Sequence, residues 1–187
     1  ARVERYFLDK IPAFVTAAEQ ACANAEALDS NAHEVHLAVG GLRLATGRAG
    51  DAEDAFRRAL ALVPQSPDAL IGLAQSLAAG GKSDEAEGVY QRAIATQSRY
   101  AAGHLAYGNF LFAQGRATEA VSEYERATIL TPDDPNAFSN LGGAYLLMGD
   151  FERSADAFAR SLALEPRRAN FANTGIVHYY LGRYHEA

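Results

Sequence analysis

Apolar positions along this chain recur at helical rather than strand spacing. In the tract NLGGAYLLMGDF, residues 140–151, Leu141, Ala144, Tyr145 and Met148 fall on one side of a 3.6-residue helix. Similar tracts occur throughout, each ending in a short turn before a second apolar set begins. The alternation predicts pairs of amphipathic helices and no strands. Two adjacent glycines, Gly142 and Gly143, nevertheless sit inside one first helix, where each costs about 1 kcal/mol relative to alanine.

The turn glycines set the register. Gly47, Gly81, Gly115, Gly149 and Gly182 are spaced by 34, 34, 34 and 33 residues. Seven residues before each stands a small residue: Gly40, Ala74, Gly108, Gly142 and Gly175. Five after each stands another: Ala52, Ala86, Ala120, Ser154 and Ala187. Nine after come Phe56, Tyr90, Tyr124 and Phe158, and at seventeen after Pro64, Ser98, Pro132 and Pro166. Small residues in phase on both helices predict a close antiparallel crossing, with the aromatic ring filling the wider gap beside it; a large side chain at the crossing would overpack it. Gly142 is thus a packing residue. Gly143 falls on the opposite side of its helix and needs another reason.

Helix ends fit the same frame. Ser66-Pro67 and Asp134-Pro135 place a capping side chain before a first-turn proline. Asp51, Ser83 and Thr118 are expected to cap second helices, and Pro64, Pro132 and Pro166 to end them. In residues 1–32, Ala18, Cys22, Ala25 and Leu28 have second-helix spacing, whereas Pro12 is expected to interrupt any continuous helix. This segment reads as a degenerate repeat or as capping helices.

The in-phase glycines, small residues, aromatics and prolines resemble the tetratricopeptide repeat, a helix–turn–helix unit of 34 residues. The resemblance covers residues 33–187, divided 33–66, 67–100, 101–134, 135–167 and an incomplete 168–187. It implies an all-α fold: a right-handed superhelical array, or α-solenoid, of antiparallel helix pairs, each burying its apolar face on the next. A chain starting at Ala1 and stopping in HEA reads as a fragment of a bacterial multi-repeat protein. An incomplete last repeat would leave Ile176, Tyr180 and Tyr184 uncovered, available for self-association.

Composition removes several function classes. The formal net charge is −6 with both signs mixed along the chain, unlike the basic face of a nucleic-acid binder. The single cysteine, Cys22, rules out an internal disulfide. No run of about 18 apolar residues is present, so no membrane-inserted helix is expected. A cytoplasmic location is the expectation, with a periplasmic one left open. His33 and His36 stand three apart on a helix, but no third ligand completes a metal set, so no metal or cofactor is expected. The GG pairs lack the preceding strand of a phosphate loop, and no nucleophile elbow occurs. The chain is not expected to be an enzyme.

By resemblance, the first helices line a concave face that binds a peptide or partner protein. Its candidate site residues are Asn109, Phe112, Asn136, Asn140, Gly143, Leu146, Asn173, Ile176 and Tyr180. Gly143 would there open room for a ligand backbone. Some family members clamp a terminal carboxylate with cations and asparagines. Asn109 and Asn140 match those asparagines, but Leu105, Ala169 and Asn173 occupy the cationic places, and a carboxylate would be desolvated without compensation. Other members hold a peptide backbone on successive asparagines, a role Asn140 and Asn173 would fill. Two other readings are a regulatory or docking segment of a signalling enzyme carrying a Ser/Thr kinase or nucleotide cyclase domain, and an oligomerisation scaffold.

Overall fold

The computed structural model describes residues 2–166 and 168–182, with side chains over 12–166 and 171–182; Tyr184 and Ala187 lie outside them. Among the described residues there are ten α-helices and no strand. They group into two compact units, one up to Thr96 and one from Gln97.

The first unit contains α1 (Arg2–Leu28), α2 (His33–Ala45), α3 (Ala49–Leu62), α4 (Pro67–Ala79) and α5 (Ser83–Thr96). Helices α2 and α3 pack as a pair, as do α4 and α5, and α3 joins the pairs. The ring of Phe56 on α3 is wedged between two glycines, since a Cβ on Gly40 would lie 2.8 Å and one on Gly72 2.3 Å from it. His33 ties three helices together. Its Nδ1 donates to the Ala59 carbonyl (3.1 Å), while Nε2 accepts from the hydroxyl of Ser66 (3.0 Å). Ser66 in turn caps α4 by accepting from the Ala69 amide.

Helix α1 differs from expectation: it runs unbroken through Pro12. A proline inside a helix removes one backbone donor. The following turns are rich in alanine, the strongest helix former, and carry the helix onward to Leu28.

The second unit contains α6 (Ala101–Ala113), α7 (Ala117–Leu130), α8 (Pro135–Leu147), α9 (Phe151–Leu164) and α10 (Arg168–Tyr180). Each helix packs on the next, and the first helices also touch: α6 meets α8, and α8 meets α10. Buried Tyr124 lies against Gly108, and buried Phe158 against Gly142. The Ser154 hydroxyl donates to the Gly142 carbonyl at 2.8 Å, so the small residue of α9 also bonds across the crossing.

Each first helix stops in the same way. Gly47, Gly81, Gly115, Gly149 and Gly182 have φ of 76°, 79°, 77°, 76° and 71°, a left-handed conformation that glycine adopts without a steric penalty. After the first four, the next amide reaches back five residues: Arg48 to Arg43, Lys82 to Leu77, Arg116 to Leu111 and Asp150 to Tyr145. Asp134 caps α8 as the sequence implies. Second helices begin earlier than expected at all three places: α3 starts at Ala49, α5 at Ser83 and α7 at Ala117, so Asp51, Ser83 and Thr118 lie within the first turn.

Candidate functional site

On the face where α6, α8 and α10 lie side by side, the second unit has a cleft of about 350 Å³. Helix α6 contributes Asn109 and Phe112, α7 Tyr124, α8 Ser139, Asn140 and Gly143, and α10 Asn173. None of these side chains is charged. The helical repeat brings them together: Asn109, Phe112, Ser139, Asn140, Gly143 and Asn173 all stand on one side of three parallel first helices.

Two asparagines are joined to a core tyrosine. The buried Tyr124 hydroxyl donates to Asn109 Oδ1 at 2.9 Å, and Asn140 Nδ2 donates to the same oxygen at 2.8 Å. The Asn109 oxygen is thus used twice, leaving its amino group for the cleft. Asn140 keeps its oxygen and one N–H, and the Asn173 side chain makes no hydrogen bond among the described residues. Burial pushes the Tyr124 hydroxyl up to about 12, so it remains a donor across neutral pH.

Gly143 forms part of the cleft wall. A Cβ built there meets nothing within 4 Å, whereas one on neighbouring Gly142 would lie 2.9 Å from Phe158. The two glycines therefore answer to different demands. One is required by packing; the other faces open space.

The remaining expected site residues lie elsewhere. Asn136 is exposed at the start of α8, where its backbone amide donates to the Asp134 cap. Leu146 turns inward and packs against Ala155, Phe158 and Val177. Ile176 is exposed outside the cleft lining. Tyr180 stacks on Phe151, with ring centres 4.8 Å apart and planes within 5°. Two cleft residues, Ser139 and Tyr124, are absent from the expected set, and Tyr124 is the one that comes from a second helix. Its signal was a hydroxyl at a core position where Phe56 and Phe158 do without one.

His104 and His36 are buried in the helix packing. His104 places Nδ1 2.7 Å from a Glu123 carboxylate oxygen and Nε2 3.0 Å from the Ser98 carbonyl, joining α6 to α7 and to the segment before it. His36 is buried in α2.

Four repeat-family models match the chain: three described as tetratricopeptide repeat, over residues 14–67, 43–109 and 137–170, and one as TPR repeat, over 108–149. The chain belongs to the tetratricopeptide repeat family. Tetratricopeptide repeat proteins bind protein partners and are typically non-catalytic scaffolds. No curated protein matches the chain in sequence. Among solved structures it is similar to pilF of Pseudomonas aeruginosa at 27% identity and TM-score 0.76, covering 82% of this chain and 71% of that one. It is also similar to a thermophilic TPR protein of Thermus thermophilus, at 21% identity and TM-score 0.75 over 96% and 94% of the two chains. MamA from Desulfovibrio magneticus RS-1 matches at 17% identity and TM-score 0.70, covering 82% and 87%. The last two likenesses concern the fold alone. Among the described residues, no helix is long and apolar enough to cross a membrane.

Proposed function

We propose that the second unit of this tetratricopeptide repeat protein binds an extended, largely uncharged peptide of a partner protein along its first-helix face. The observation that carries this reading is the cleft at α6, α8 and α10, whose polar side chains are neutral and whose Asn109, Asn140 and Asn173 retain hydrogen-bonding capacity facing it. A peptide backbone presents alternating N–H and C=O groups, and a carboxamide can both donate and accept. A terminal carboxylate would find no cation in this lining. Phe112, 36% exposed beside the cleft, offers an apolar wall for a ligand side chain, and Gly143 leaves room for its backbone.

The test is a selection of random capped dodecapeptides on the whole chain, followed by calorimetry with the recovered peptide. Each hydrogen bond contributes about 0.5–1.5 kcal/mol. The double variant Asn140→Ala/Asn173→Ala should therefore bind on the order of ten- to a hundredfold more weakly. Equal binding by the variant would make the asparagines mere framework residues. A strong loss of affinity on raising salt would mean that charged contacts dominate instead.

A further inference from the structure

We infer that Tyr124 is a positioning residue for this cleft, fixing which atoms of the Asn109 carboxamide a bound peptide meets; the inference rests on the peptide-binding reading above. At Tyr124 position and chemistry do not match. At this place in successive second helices stand Phe56, Tyr90, Tyr124 and Phe158. The ring alone fills the gap beside the crossing, as Phe158 does against Gly142, so packing does not call for a hydroxyl. Tyr124 is 2% exposed, yet its oxygen reaches the cleft lining and donates to Asn109 Oδ1.

A solvent-exposed asparagine can turn its carboxamide over, exchanging oxygen for nitrogen at little cost. Asn109 is held against that exchange because two donors, the Tyr124 hydroxyl and Asn140 Nδ2, converge on its oxygen. Turned over alone, its amino group would face the Asn140 amino group, donor against donor, and the Tyr124 hydroxyl would have to change from donor to acceptor. Asn109 therefore presents N–H groups to the cleft, while Asn140 presents its free oxygen. An acceptor on the ligand is matched at Asn109 and a donor at the Asn140 oxygen. A peptide amide offers both. A backbone ester in place of that amide keeps the acceptor but loses the donor. The Tyr124 hydroxyl thus acts through Asn109, without needing to touch the ligand.

The experiment uses the whole chain, ¹⁵N-labelled, as parent and as Tyr124→Phe. Phenylalanine is already accommodated at this position in two other helix pairs, so the variant is expected to fold with an unfolding midpoint within a few degrees of the parent. The side-chain NH₂ cross-peaks of Asn109 and Asn140 should shift and broaden as the carboxamide gains freedom. The dodecapeptide recovered on the parent should bind roughly three- to tenfold more weakly, the loss of about one neutral hydrogen bond. The parent's preference for this peptide over its backbone-ester analogue should shrink in the variant. Unchanged cross-peaks overturn the inference whether or not a peptide has been recovered. Shifted cross-peaks with unchanged affinity overturn it as well, because the hydroxyl would then orient Asn109 without consequence for recognition. If no peptide is recovered while the cross-peaks shift, the binding reading falls and the orientation of Asn109 by Tyr124 stands.

Discussion

Replacing each of the neighbouring glycines 142 and 143 by alanine should change stability in opposite directions. At Gly142 the new Cβ would lie 2.9 Å from Phe158 Cδ1 and 3.0 Å from both Cε1 and Cγ, so it meets the flat of the ring rather than one movable atom. Carbon atoms pack best about 3.5–4.0 Å apart. Phe158 is 0% exposed and forms a core with Ala155 and Val177, so the ring has little room to withdraw. Overpacking of this kind costs about 1–3 kcal/mol, against about 1 kcal/mol gained by replacing a mid-helix glycine. The clash prevails, and Gly142→Ala should be destabilised by up to about 2 kcal/mol. At Gly143 no atom lies within 4 Å of the new Cβ, so only the helix gain remains. Gly143→Ala should therefore be more stable than the parent by about 0.5–1 kcal/mol. The assay is urea unfolding followed by circular dichroism. Hydrogen exchange of α8 and α9 amides accompanies it, because repeat arrays depart from two-state behaviour. If Gly142→Ala proves as stable as Gly143→Ala, the packing argument is refuted. The stabilised Gly143→Ala should also bind the recovered peptide more weakly, since its methyl group enters the cleft.

Two further predictions concern pH and association. Burial raises Tyr90 and Tyr124 from 10.0 to about 12, so the unfolded chain releases their protons first. Their contribution to stability is complete below about pH 10 and is lost as pH rises towards 12; urea titrations across that range should show the fall, flattened in Tyr90→Phe/Tyr124→Phe. Phe171, Ile176 and Tyr179 on α10 are 58%, 46% and 62% exposed, and exposed apolar side chains along one helix favour association. Sedimentation should reveal concentration-dependent self-association that Phe171→Glu/Tyr179→Lys abolishes; a monomer at high concentration for both chains would refute this.

What could be read from sequence follows from how narrowly each position is constrained. A left-handed turn residue favours glycine, and a close crossing demands small side chains, so the turn glycines and Gly142 announced themselves. Helix starts were less legible. Arg48 and Arg116 precede α3 and α7 without a side-chain cap, and backbone bonds such as Ala52 to Arg48 and Ala120 to Arg116 begin the helix instead. Pro12 misled because a helix can lose one bond and continue. In the candidate site, spacing identified the side of the helix but not the direction of each side chain. Leu146 found an apolar partner in Phe158 and Val177, and Tyr180 found one in Phe151. Tyr124 was read as core filling because its ring is just that; only the geometry places its hydroxyl against Asn109.

In the proposed mode of binding, the neutral cleft of the second unit receives a peptide. The most direct measurement is a titration of the ¹⁵N-labelled chain with the selected dodecapeptide, followed by backbone and side-chain amide shifts. The prediction is that changes concentrate at Asn109, Phe112, Asn140, Gly143 and Asn173 and persist at high salt. Changes gathered instead around Phe138, Arg153 and Arg160, which line a separate depression between α8 and α9, would contradict it.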